Sequence, residues 1–196
     1  MIRFRPSRTC RQGGLEEKGK IVKAILTLCA VLFLVGGCVT QPPEVTTHYD
    51  AFSGIRTDLM ADNLLETPGT PREVIWLNAY RAYKNYSSSD YYLEVSYMAT
   101  AEVGWLEIAP GESLVLIVDG EPMRLKGSGS ANNRKTARKD FVTENALYEV
   151  SAIQIQKIAG ARQVKLQIKG DKGLVEREFQ EANFERFRAF VRNYAL

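Results

Sequence analysis

The sequence predicts an α+β domain, a mainly antiparallel sheet of about six to eight strands with a short helix and a C-terminal amphipathic helix packed on it. Three observations lead there. Tyr91, Leu93, Val95 and Tyr97 alternate with Tyr92, Glu94, Ser96 and Met98, the period of a half-buried strand. Asp119-Gly120 follows the apolar run 114–118, and both residues tolerate the positive φ that a two-residue hairpin turn requires. Phe184, Phe187, Val191 and Tyr194 are spaced 3, 4 and 3 apart, which makes one stripe along a helix.

In chain order, residues 18–38 come first. Lys18, Lys20 and Lys23 precede a run, 24–35, in which every residue except Thr27 is apolar or a cysteine. That run of 12 residues is shorter than the ~18 expected of a membrane-spanning helix. Two small residues, Gly36 and Gly37, lead to Cys38, closing the stretch Leu34-Val35-Gly36-Gly37-Cys38. These residues resemble a bacterial lipoprotein signal peptide with its lipobox, of the signal peptidase II type. The competing reading is an uncleaved apolar anchor or a buried helix. The resemblance covers residues 18–39. It implies cleavage between Gly37 and Cys38, a diacylglyceryl group on the Cys38 thiol and, usually, acylation of the new amino terminus. Each buried methylene contributes roughly 0.8 kcal/mol, so one chain holds marginally and two or three hold firmly. It further implies a cell-envelope protein facing the periplasm, with the membrane as partner through the lipid. Val39 stands where the enteric inner-membrane signal is Asp, which favours the outer membrane. Residues 1–17 form a long, Arg-rich prefix, and Val22-Lys23 offers a more compact start.

The expected organisation is a signal at 1–37, a lipid-anchored tether at 38–48 and one domain at 49–196. The prefix carries seven of the 26 basic and two of the 23 acidic residues, so the formal charge changes from +3 to −2 on its removal. The basic balance is therefore no sign of nucleic-acid binding. Cys10 and Cys29 leave as well, and lipid would occupy Cys38, which excludes a disulfide and a cysteine metal site. The lone histidine, His48, belongs to the tether. Pro42-Pro43 suits an extended spacer.

Within the domain, 49–72 reads as irregular. Thr67-Pro68-Gly69-Thr70-Pro71 breaks it, and 57–65 suits a short helical turn. Residues 74–84 are rich in aromatic and aliphatic side chains and read as a strand. Ser87-Ser88-Ser89-Asp90 turns the chain into the alternating strand. Residues 103–108 read as a short strand stopped by Pro110-Gly111. Residues 114–118 form an apolar central strand, and 123–126 pair back across Asp119-Gly120. Residues 127–138 form a polar loop, and 147–150 a strand. Ser151 caps a helix that ends at Gly160. Residues 164–168 and 174–179 pair around Gly170-Asp171-Lys172-Gly173, and Asn183 serves as N-cap of the last helix.

The sequence shows no Gly-x-Ser-x-Gly, no His-Glu-x-x-His, no phosphate loop and no cofactor motif, and the domain has no histidine. A non-enzymatic module is the expectation, with an envelope protein as partner. Two candidate binding features stand out. The loop 127–140 carries Arg134, Lys135, Arg138 and Lys139 behind flexible residues and can grip an anion. Tyr80, Tyr83, Tyr86, Tyr91 and Tyr92, with Trp76 nearby, can form an aromatic surface for a glycan. Half of these tyrosines must face the opposite side of any strand, where core packing is the simpler role. Glu94 and Glu102 can converge on a sheet face, but solvated sheet-face acids are the favoured reading. Trp105-Leu106-Glu107-Ile108 with Pro110-Gly111-Glu112-Ser113-Leu114 resembles uncharacterised envelope lipoproteins in a general way, and the likeness implies no activity.

Overall fold

The computed structural model describes residues 45–66, 72–84, 88–137 and 140–195. Cys38 and the rest of the signal, the tether before Val45, and Tyr86, Arg138 and Lys139 lie outside the described residues. The described residues fall within one compact unit. Their strands are β1 (Val45–Asp50), β2 (Ile55–Met60), β3 (Leu64–Leu65), β4 (Glu73–Lys84), β5 (Ser88–Thr100), β6 (Gly111–Val118), β7 (Glu121–Gly127), β8 (Arg134–Ala137), β9 (Phe141–Val150), β10 (Val164–Gly170) and β11 (Gly173–Glu178). Two helices accompany them, α1 (Ala152–Gly160) and α2 (Glu181–Tyr194).

The strands form one sheet in the order β1-β2-β4-β5-β9-β7-β6-β10-β11, with β3 beside β4 and β8 beside β9. The described strand pairs are antiparallel. The α+β class agrees with expectation, but the sheet has eleven strands rather than six to eight. The additional ones are β1, β2, β3 and β8. In β2, Asp58 occupies an inward position and breaks the apolar alternation that marks a strand. β1 and β8 are short and polar, and β3 has only two residues. β1 also takes in Thr46, Thr47 and His48, the end of the expected tether.

One face of the sheet carries the core. Ile75, Leu77 and Ala79 on β4 line up with Leu93, Val95 and Tyr97 on β5, Ala146 and Tyr148 on β9, and Leu114, Leu116 and Val118 on β6. The helices close this face. Ile155 and Ile158 of α1 and Phe184, Phe187 and Phe190 of α2 are buried in it. Phe179 packs edge-on against Phe184 at 5.3 Å and tilted against Phe187 at 5.4 Å. The sheet curls far enough for Arg177 on edge strand β11 to reach Glu73 at the start of β4, 2.9 Å away.

The local devices follow the sequence in most places. Asp119 and Gly120 turn at φ 50° and 90°, as their hairpin requires. Ser151 accepts from the Gln154 amide, and Gln154 returns the bond to the Ser151 amide, a reciprocal cap for α1. Asn183 is not the N-cap of α2, since Gln180 holds that position. Instead Asn183 donates to the Asn63 side chain at 2.9 Å and to the Leu64 carbonyl at 2.8 Å, stitching the helix to the chain between β2 and β3. A polar thread continues from there. The Asn63 amide donates to Asn78, Asn78 donates to Glu94, and the Tyr80 hydroxyl donates to the same Glu94 oxygen at 2.8 Å.

Residues 103–108 do not form the expected strand. Only Ile108 makes a bridge, to Gly170. Gly104 has φ 76° and Glu107 has φ 58°, so the segment bends. Its three consecutive amides, of Leu106, Glu107 and Ile108, converge on one carboxylate, that of Glu144. Consecutive amides of an extended strand point in opposite directions, so this convergence and a strand exclude each other.

Candidate functional site

Two buried carboxylates organise the polar interior, and sequence reasoning singled out neither. Glu144 sits on the inward row of β9, between Val142 and Ala146, and is fully buried. One of its oxygens accepts from Leu106 at 2.6 Å and Glu107 at 2.9 Å. The other accepts from Ile108 at 3.1 Å and from the Ser130 hydroxyl. Arg134 Nε lies 3.6 Å from that second oxygen and donates to Ser130 at 3.2 Å. Gly129 makes the approach feasible. It sits at φ +73°, and a Cβ there would lie 2.8 Å from the Ile108 carbonyl oxygen. The available sequence signal was a glutamate at the phase of Val142, Ala146 and Tyr148.

Asp58 is the second buried carboxylate, on the inward row of β2. Arg81 donates to its Oδ2 through Nη2 at 2.6 Å and Nε at 3.1 Å. Thr47 donates to Oδ1 at 2.7 Å, and Arg56 Nε stands 3.6 Å away. The Arg81 guanidinium lies over the rings of Tyr83 at 4.5 Å and Tyr194 at 5.1 Å. Arg81 and the Tyr91 hydroxyl both donate to the Tyr194 carbonyl, at 3.3 Å and 2.9 Å. This cluster ties the end of α2 to the sheet.

The expected anion-binding residues are thus divided. Arg134 turns inward to Ser130 and Glu144, with Glu107 at 4.0 Å. Lys135, its neighbour on β8, is exposed. Strand alternation places these two on opposite faces, and Arg138 and Lys139 lie outside the described residues.

The tyrosines divide in the same way. Tyr83 and Tyr91 share the core-side row of β4 and β5 and serve the Asp58 cluster. Tyr80 and Tyr92 are cross-strand partners on the outer face. Burial first, and then the Glu94 carboxylate, pushes the Tyr80 phenol far above its ordinary range. Burial also raises Tyr92, helped by Asp90 and Glu149. Trp76 lies on the outer row with them, four residues from Tyr80. Glu94 and Glu102 do not share partners: Glu94 accepts from Tyr80 and Asn78, whereas Glu102 pairs with Arg72 at 2.5 Å.

The surface grooves lie elsewhere. One of about 490 Å³ runs over β6, β10 and β11, where Val115 and Ile117 meet Lys165, Gln167 and Glu176. A second, of about 420 Å³, opens between Arg124–Lys126 of β7 and Glu149–Gln154 at the end of β9 and start of α1. Its origin is topological, since β7 and β9 pair only at Gly127 and Tyr148. Among the described residues, no group of three or more His, Cys, Asp or Glu is placed to hold a metal ion. No helix among them is long and apolar enough to cross a membrane.

Two turn aspartates give a pH prediction. Hydrogen bonds from Ser53 and the Phe52 amide lower Asp50, and the amides of Gln163 and Arg162 lower Asp119. Both carboxyls are expected to titrate below the ordinary 3.8 in an NMR pH series. Their contribution to stability is present above that value and is lost as pH falls through the lowered, folded-state values. Midpoints at or above 3.8 would show that these turns do not hold their carboxylates.

No protein-family model matches the chain, and no curated protein sequence matches it.

Proposed function

We propose that the chain is a lipid-anchored envelope protein whose domain is a non-enzymatic interaction or assembly module at the periplasmic face of the outer membrane. The carrying observation is Leu34-Val35-Gly36-Gly37-Cys38 behind an apolar run and Lys18, Lys20 and Lys23. The interior chemistry supports the same reading. Glu144 and Asp58 are fully buried and already bonded to protein partners, so neither carboxylate faces a substrate.

The test is Cys38→Ser in the full chain, expressed in a Gram-negative host. The unsubstituted protein is expected in the membrane fraction, with diacylglyceryl mass on an amino-terminal Cys38 peptide. The variant is expected to lack the lipid and to keep residues preceding position 38, because acylation precedes cleavage in this pathway. An unmodified Cys38 in the unsubstituted chain overturns the anchor. Cross-linking in native membranes that recovers no protein neighbour overturns the module reading.

A second reading is a binding protein for a small ligand, a glycan or an anionic lipid. The groove of about 490 Å³ favours it, with apolar Val115 and Ile117 beside Lys165 and Gln167. Native mass spectrometry showing a bound small molecule would support it, and a bare protein mass would count against it.

A further inference from the structure

The β1–β2 hairpin ends in a tip that the core does not use. Phe52 is 103% exposed, Tyr49 62% and Ile55 38%. Phe52 is the most exposed large apolar side chain among the described residues. Single exposed apolar residues are ordinary, but three within one turn and its flanks call for a cause. The tip is also built to hold its shape. The Asp50 carboxylate accepts from the Phe52 amide at 2.9 Å and the Ser53 hydroxyl at 2.6 Å. The Gly54 amide donates to the Asp50 carbonyl at 2.8 Å, and Gly54 takes φ 69° to do so. Four bonds would fix the turn if Ile55 to Ser53 Oγ, 3.2 Å, is included. The phenylalanine is therefore presented on a braced turn rather than on a loose one.

We propose that this tip is a lipid-contacting element, in which Phe52, flanked by Tyr49 and Ile55, enters the headgroup boundary of the membrane that holds Cys38. The proposal rests on the reading of Cys38 as the lipid attachment. The length of chain before β1 selects a membrane as the occupant. Val45 lies seven residues after Cys38, a maximum reach of about 25 Å. From Val45 to the tip, the six residues of β1 cover roughly 17–20 Å. The reach exceeds the strand, so the acyl chains and Phe52 can occupy the same bilayer surface. The chemistry also fits. Aromatic side chains suit the boundary between headgroups and acyl chains. The Asp50 charge opposes anionic lipid, and Lys84, of opposite charge, lies across from Ile55 on β4. A second anchoring contact would limit the orientations of the domain at the membrane, as two signals hold where one is marginal.

The test uses the full chain with Phe52→Trp, reconstituted in phosphatidylethanolamine–phosphatidylglycerol vesicles with brominated acyl chains. The unsubstituted chain corrects for Trp76 and Trp105. The added emission is expected to shift to the blue and lose more than half its intensity. Phe52→Ala is expected to weaken vesicle partitioning of the chain about tenfold. An added emission that stays at the solvent wavelength and unquenched overturns the proposal, whatever the state of Cys38. Burial of position 52 in a lipid-free dimer, read by sedimentation, overturns it equally. Mass spectrometry of Cys38 on the same preparation judges the anchor separately. An acylated Cys38 with an unquenched tip refutes the tip and leaves the anchor standing.

Discussion

Replacing Glu144 with alanine is expected to destabilise the domain by about 4 kcal/mol, read from urea unfolding. The substitution removes the acceptor for the amides of Leu106, Glu107 and Ile108 and for the Ser130 hydroxyl. It also takes from Arg134 its buried counter-charge. Each buried donor left unpaired costs roughly 1–3 kcal/mol. The total falls short of their sum, because water can enter the vacated space and Arg134 still has Glu107 at 4.0 Å. Glu144→Gln separates charge from shape. Its amide keeps one accepting oxygen but sets two donors against a ring of donors, so a loss of about 2–3 kcal/mol is expected. Trp105 adjoins the first of the three amides and packs against the core, so its emission should move to the red in the alanine variant. A loss below about 1 kcal/mol would mean that the convergence of amides does not hold the segment.

Glu144 holds the segment where the sequence was least legible. The apolar alternation of 91–98 and 164–168, the Asp119-Gly120 turn and the α1 cap could be read directly, because each depends on neighbours in the chain. Residues 103–108 could not. Their composition suits a strand, but a carboxylate some 36 to 38 positions away takes their amides. Long-range polar bonding overrides local propensity there. β2 failed for a related reason, since Asp58 can take an inward position only when Arg81, on β4, is beside it to pair its charge. Packing adds constraints of the same long-range kind. A Cβ on Gly170 would collide with the Leu106 carbonyl, and one on Gly127 would lie 2.5 Å from the Leu147 carbonyl oxygen. Of the candidate site residues, their types were legible but their directions were not. Arg134 became an internal ligand of Ser130 once β8 paired with β9. Tyr83 and Tyr91 became internal because the β4–β5 register gives them the core-side row.

Arg81→Met is expected to cost about 3–4 kcal/mol, and Asp58→Asn in the same background is expected to recover part of it. Alone, the methionine leaves a fully buried Asp58 with Thr47 and a distant Arg56 as partners. It also removes the guanidinium from the Tyr83 and Tyr194 rings and its bond to the Tyr194 carbonyl. The second substitution removes the stranded charge while keeping an acceptor for Thr47. The two changes should therefore be non-additive by about 2 kcal/mol in a double-mutant cycle. Strict additivity would show that Asp58 and Arg81 act separately despite their 2.6 Å contact. A third measurement distinguishes the charge pair from the helix attachment. The Tyr91 hydroxyl still donates to the Tyr194 carbonyl when Arg81 is gone, and Gln156 still donates to the Ala195 carbonyl at 2.6 Å, so the end of α2 keeps two ties. Hydrogen exchange of that turn should quicken modestly in Arg81→Met and strongly when Tyr91→Phe is added. If Tyr91→Phe adds nothing, the Gln156 bond to the Ala195 carbonyl and the packing of Phe190 on Tyr194, at 5.5 Å, hold the helix end without the hydroxyl.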